Sequence, residues 1–310
     1  MKGVRMKERV RMKMRRRLIA MWVISISTFG MSGAATAETL YERGAYLMRS
    51  VVACGNCHTL GSLEGRPVAG MELAGGNVWD EKPFTAYAPN ITPDKGTGIG
   101  SWTDEQIIAS IREGKRPDGS IIGPPMPIGL YRGISDRDAR AIVAYLRKVK
   151  PIRNKVPRSV YRIPLPPAYG QPVRSVPEVP RSDKVRYGEY LAGPLGHCVV
   201  CHTPFAKPGR RDFKNRLGGG GFVITGMWGT TVAANITPDK KTGIGNWSDR
   251  QIKAAITTGY RANGEKMFPP MAYHFYQNIR REDLDAIVAY LRSLKPVKFT
   301  RKFRHVPKKK

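Results

Sequence analysis

Apolar side chains recur with helical spacing at two places along the chain that mirror each other. Ala139, Ile142, Val143, Leu146 and Val149 follow an i, i+3, i+4 pattern, and Leu284, Ile287, Val288, Leu291 and Leu294 repeat it. Each pattern predicts a helix with one buried face, ended by Pro151 in one case and Pro296 in the other. Shorter helices are expected upstream, over Leu40 to Met48 and over Val185 to Leu191. "TDEQ" at Thr103 and "SDRQ" at Ser248 read as capping boxes that open one more helix in each half, stopped by Gly114 and Gly259. No stretch alternates apolar and polar residues with strand period. The expected fold is therefore all-α, helices joined by irregular loops.

These mirrored helices belong to a longer repeat. "RGAYLMRSVVACGNCHTL" from Arg43 parallels "YGEYLAGPLGHCVVCHTP" from Tyr187, an offset of 144. "NITPDKGTGIGSWTDEQI" from Asn90 parallels "NITPDKKTGIGNWSDRQI" from Asn235, an offset of 145. One inserted residue over so long a stretch signifies a tandem duplication. The organisation predicted is a first domain over 38–150, a linker over 151–182, a second domain over 183–296 and a basic tail over 297–310. The linker holds eight prolines in 32 residues, so it should be extended and semi-rigid, lying across both domains.

Charge changes the picture mainly at the ends. The chain of 310 residues carries a formal net charge of +29. Residues 1–17 supply nine Lys or Arg against Glu8, an apolar run from Leu18 to Phe29 follows, and "ATAE" places Ala35 and Ala37 just before Glu38. That order reads as a secretory signal peptide over residues 1–37, with the mature chain exported to the periplasm and still at +21. The tail "VKFTRKFRHVPKKK" reads as a solvated polybasic segment, with peripheral contact to an anionic membrane as a second reading. Nucleic acid is not an expected partner for an exported chain.

All four cysteines lie in two matched motifs, "CGNCHT" from Cys54 and "CVVCHT" from Cys198. A redox dithiol needs no following histidine and no second copy. A zinc site built from both pairs leaves the histidines unexplained. Covalent haem uses every residue: two thiols form thioethers to the porphyrin, and the next histidine ligates its iron. One helical turn brings Cys54, Cys57 and His58, or Cys198, Cys201 and His202, to one edge and face of the ring. The sequence therefore implies two covalently bound haem c groups.

The sixth iron position decides between electron transfer and catalysis. Met126 and Met271 match in the repeat, each after a Pro-Pro pair, and are the expected second ligands. Met71 and Met227 compete from unmatched positions, and His274 could replace Met271. His197 and His305 have no counterpart in the first copy. Trp102 and Trp247 read as propionate donors or packed core, and "AGGN" at Ala74 and "GGGG" at Gly218 as tight turns or close backbone approaches. Gly44 with Tyr46, and Gly188 with Tyr190, should let the first helix of each half cross closely over the last, near Tyr145 and Tyr290.

The pattern "GxYL…CxxCHT…NITPDxxTGIGxWxDxQI…PPM…AIVAYLRxxKP" resembles the cytochrome c subunits of bacterial membrane-associated alcohol, gluconate and aldehyde dehydrogenases. The resemblance covers nearly all of residues 38–296. It implies two tandem class I cytochrome c domains, axial pairs His58/Met126 and His202/Met271, and electron flow toward the respiratory chain. The partners implied are a dehydrogenase catalytic subunit, a terminal oxidase or a small cytochrome. The chain has two haem motifs where the best-known members have three. An electron carrier with no catalytic residues is the preferred reading. A dihaem peroxidase needs one iron able to open, which the matched methionine loops disfavour. A docking module whose basic surface matters most is the third class.

Overall fold

Helix starts are set by side chains that satisfy the unpaired backbone donors of a first turn. Thr39 and Glu42 form a reciprocal capping box at the start of helix α1, Leu40–Arg49. Thr103 with Gln106 opens α3, Asp104–Arg112, and Ser248 with Gln251 opens α8, Asp249–Thr258, as the sequence predicts. Gly259 closes α8 in the left-handed conformation, φ 75°. Ser135 caps α5, Asp136–Leu146, and the matching α10 spans Arg281–Ser293. Both stop short of the prolines expected to end them. The remaining helices are one or two turns long: α2, Cys54–His58; α4, Ile128–Tyr131; α6, Lys184–Tyr190; α7, Cys198–Cys201; and α9, Tyr273–Tyr276. A π-helical turn, Leu191–Leu195, extends α6.

This computed structural model describes residues 37–226 and 228–307. Residues 1–36 of the expected signal peptide, Met227 and the last three lysines lie outside the described residues. Among those described, no helix is long and apolar enough to cross a membrane.

The expectation of an all-α class I cytochrome c fold is overturned by eight short strands in three antiparallel sheets among the described residues. In the first half β1, Val78–Glu81, pairs with β2, Phe84–Tyr87, which pairs with β3, Val160–Tyr161. In the second, β6, Val223–Gly226, pairs with β7, Gly229–Val232, which pairs with β8, His305–Val306. A small hairpin, β4 at Phe205–Lys207 and β5 at Arg210–Arg211, has no counterpart among the strands of the first half. Strands of two to four residues are too short to show a periodicity. Two of them also come from segments read as linker and tail.

Those two segments do the same work. Asn90 Nδ2 donates to the Ile152 carbonyl at 2.7 Å, and Ile152 N–H donates to Thr92 Oγ1 at 3.1 Å. In the second half, Asn235 Nδ2 donates to the Val297 carbonyl at 2.5 Å, and Val297 N–H donates to Thr237 Oγ1 at 3.1 Å. Asn154 N–H and Phe299 N–H reach Thr97 and Thr242 in the same way. The repeated "NITPD" is thus a set of hydrogen-bonding side chains that docks the strand leaving each half. The described part of the basic tail is docked at Val297 and Phe299 and ends in the two-residue strand His305–Val306, with Lys298, Lys302 and Arg304 exposed.

Packing of α1 on α5, and of α6 on α10, requires glycine. A Cβ on Gly44 would lie 1.9 Å from the Ala141 carbonyl oxygen, and one on Gly188 would lie 1.9 Å from that of Ala286. The two halves share one apolar core, containing Leu47, Ile142 and Tyr131 from the first and Leu191, Ile287 and Tyr276 from the second. Across the junction the bonds are reciprocal. Tyr46 Oη donates to Asp283 Oδ2 at 2.5 Å, and Tyr190 Oη donates to Asp138 Oδ2 at 2.7 Å. Backbone N–H groups of Arg280 and Ser135 donate to the same two hydroxyls. Asp138 is 4% exposed and Asp283 1%, so each carboxylate depends on a donor from the other half.

Removing one hydroxyl strips a donor from a buried carboxylate. Tyr46→Phe and Tyr190→Phe are each expected to lose about 1–3 kcal/mol of stability. Urea unfolding of the intact protein should show lower midpoints with unchanged slopes.

Candidate functional site

The chain enters each cysteine motif through an unusual backbone turn. Ala53 and His197, immediately before the motifs, have positive φ of 49° and 42°. Residues with a Cβ seldom adopt this region, so the surrounding packing must hold them there. The next residues coil at once into α2 and α7, which places two thiols and an imidazole along one turn. His58 belongs to α2 and His202 caps α7.

Each imidazole is held by a backbone carbonyl. His58 Nδ1 lies 2.9 Å from the Pro89 oxygen, and His202 Nδ1 lies 2.7 Å from that of Ala234. A carbonyl only accepts, so Nδ1 carries the hydrogen and Nε2 keeps its lone pair for a metal. Burial lowers the pKa of both histidines, opposed by these two bonds, and Arg301 lowers His202 further. Both rings are neutral at neutral pH, as a ligand must be.

Glycines allow the flanking strands to come this close. Gly75 N–H donates to the His58 carbonyl at 2.7 Å, and Gly220 N–H to that of His202 at 2.8 Å. A Cβ on Gly75 would meet the Ala88 oxygen at 2.4 Å, and one on Gly220 would meet the Ala234 carbonyl carbon at 2.6 Å. The glycine-rich stretches are close backbone approaches beside the histidines. In the first half Asn77 Nδ2 also ties the Cys57 and Thr59 carbonyls together.

The four thiols are free and half-buried. Burial pushes Cys54, Cys57 and Cys198 up to about 12 and raises Cys201, where Arg211 opposes it. A redox dithiol needs the opposite shift, toward thiolate. Among the described residues no three His, Cys, Asp or Glu side chains cluster as a metal site. Paired protonated thiols beside a neutral imidazole with a free Nε2 fit one haem c at each motif.

Met126 and Met271 sit at equivalent points, just before α4 and α9, half-buried against the core. The Pro-Pro bonds that precede them, Pro124–Pro125 and Pro269–Pro270, are both cis. The short helices carry these loops to the motifs. Tyr131 of α4 is buried close to Cys54 and Cys57, and Tyr276 of α9 close to Cys198, Cys201 and Cys57. These tyrosines were not singled out from the sequence, although they stand at matched repeat positions. Trp102 and Trp247 pack against the core.

The two motifs also approach each other. Cys57 lies close enough to Cys201 for its charge to be felt. Asn56 Nδ2 donates to the Pro270 carbonyl at 3.4 Å, and the ring of Phe275 lies where a Cβ on Gly55 would stand. The His197 ring meets Tyr131 edge-on at 5.9 Å. His274 Nε2 lies 2.9 Å from Ser62 Oγ of the first half, so that nitrogen is engaged at the junction. His305 stacks on Phe268 at 3.8 Å, Met71 lies in the loop before Leu73, and Met227 is not described.

Comparison with known proteins agrees with this geometry. Residues 39–146 match the family model described as cytochrome C oxidase, cbb3-type, subunit III, and residues 194–295 match the one described as cytochrome c. The chain is 33% identical over 272 residues to the fructose dehydrogenase cytochrome subunit of Gluconobacter japonicus, covering 82% of the chain and 52% of that protein. It is 30% identical over 304 residues to the gluconate 2-dehydrogenase cytochrome c subunit of Pantoea cypripedii, covering 91% and 65%. A diheme cytochrome c-type protein of Cereibacter sphaeroides is 29% identical over 255 residues, covering 77% and 81%. The chain thus spans about half to two thirds of the two dehydrogenase subunits. With its repeated cysteine–histidine turns, it carries haem c-binding cytochrome c domains related to the cytochrome c subunits of bacterial dehydrogenases.

Proposed function

We propose that this chain is a periplasmic electron carrier holding two covalent haems, one attached through Cys54 and Cys57 and one through Cys198 and Cys201. His58 with Met126, and His202 with Met271, would hold the two irons. The observation that carries the reading is the matched turn in which each histidine gives Nδ1 to a carbonyl and keeps Nε2 free. When bound, haem c supplies an iron that changes charge by one electron without a bond being made or broken. The residues do the rest. Pro89 and Ala234 fix the plane of each imidazole, so little has to reorganise as charge changes. Tyr131, Tyr276 and the shared core screen the cysteine motifs from water. Close approach of the two motifs keeps a transfer between them short.

The donor fits a dehydrogenase catalytic subunit, and the acceptor a terminal oxidase or small cytochrome of the respiratory chain. Excess positive charge, 53 Lys and Arg against 24 Asp and Glu, favours acidic docking faces.

Protein matured with haem should contain two haems per chain that survive denaturation, counted by the pyridine haemochrome. Cys54→Ala combined with Cys57→Ala should leave one, and a count of one in the unaltered protein would refute the scheme. The oxidised spectrum should be low-spin with the red methionine–iron band. Met126→Ala and Met271→Ala should each turn one haem high-spin. A high-spin haem in the unaltered protein would instead direct attention to peroxide turnover. Electron transfer to an acidic partner should slow as salt rises from about 0.01 M to about 1 M, where the screening length falls from about 30 Å to about 3 Å.

A further inference from the structure

The two cysteine–histidine turns are alike in backbone but not in the charge around them. Arg211 donates to the Thr203 carbonyl at 2.7 Å, the residue directly after His202. Its guanidinium is held between the rings of Phe205 and Phe222, 4.1 and 3.8 Å from their centroids. No carboxylate pairs with it among the described residues. Arg301 donates to the Val232 carbonyl at 3.2 Å, two residues before Ala234, whose oxygen holds His202. It is half-buried, also lacks a carboxylate of its own, and sits beside Arg261 and Arg304. Those two arginines share the single carboxylate of Glu265. Arg261 Nε is buried without a hydrogen-bond partner.

The first half has a smaller cluster, the half-buried Arg116 beside Arg158 and Asp118, and no cation in place of Arg301. Repeat pairing sets Arg301 opposite Val156 and Arg304 opposite Ser159. Matched hydrogen bonds support this register: Asn154 N–H reaches Thr97 as Phe299 N–H reaches Thr242. The β4–β5 hairpin that carries Arg211 has no counterpart among the strands of the first half. Arg116 corresponds to Arg261, and the nearby Arg158 is matched one-to-one by Asp118 at 2.7 Å. Partly buried positive charge is poorly screened and favours whichever redox state carries more negative charge.

We propose that Arg301 and Arg211 make the second site the more oxidising of the two, so that electrons run from the first site to the second. In each event one electron leaves the group at the first motif, which is oxidised, and is taken up at the second, which is reduced. No proton moves and no bond changes. The proposal rests on the electron-carrier reading above.

The test is a spectroelectrochemical titration of the protein carrying both haems. Two one-electron potentials are expected, with Met126→His moving the lower one and so assigning it to the first site. Arg301→Gln should shift the higher potential downward and leave the lower in place, while Arg301→Lys should keep it. As a reciprocal test that does not remove an arginine, Val156→Arg should raise the lower potential and narrow the gap. The proposal is overturned if Met126→His moves the higher potential, if Arg301→Gln moves neither or both alike, or if Val156→Arg leaves the gap unchanged. Absence of two reversible couples in the unaltered protein would overturn the electron-carrier reading itself, and this proposal with it.

Discussion

Two buried carboxylates govern how this molecule is put together. Asp138 and Asp283 sit in the first turns of α5 and α10, where a negative charge suits the helix end but water is excluded. A carboxylate there is tolerable only when its oxygens are fully engaged. Asp138 receives a two-pronged bond from Arg43 of its own half, at 2.7 and 3.0 Å, and a third from Tyr190 of the other. Asp283 receives Tyr46 in return. Joining the halves takes each carboxylate out of water, a cost that the donor from the other half offsets. An exchange of equivalent bonds also admits one relative orientation, and that orientation brings the cysteine motifs toward each other.

The same economy shapes each site. One asparagine and two threonines in the "NITPD" loop dock the departing strand, and that strand borders the loop whose carbonyl holds the histidine. Distant pieces of chain are therefore needed to orient a five-residue turn. Divergence between the halves is concentrated where it alters charge and leaves this framework intact. The β4–β5 hairpin brings Arg211, and the edge strand of the second half brings Arg301 and Arg304 where the first half has Val156 and Ser159. A duplicated scaffold can thus support two sites with unequal electrostatics.

Much of this was legible in the residues because it is local. Capping boxes at Thr103 and Ser248, the apolar stripes of α5 and α10, and the glycines at 44 and 188 act within a turn or at a single crossing. The cysteine–histidine motifs likewise state their chemistry through spacing alone, and tandem repetition showed that the site occurs twice. What the sequence did not reveal was non-local. Strands as short as Val160–Tyr161 and His305–Val306 exist only because a partner strand far away in the chain satisfies their backbone groups, and two residues cannot display a period. The all-α expectation failed for that reason. Tyr46 and Tyr190 were expected at the crossing of the first and last helices of their own halves, and the fold instead sets each against a carboxylate of the other half. By itself the sequence determined which groups can bind and how each turn begins. Only tertiary structure decided which of them face one another, because burial, pairing and the field of neighbouring charges depend on contacts between segments more than a hundred residues apart.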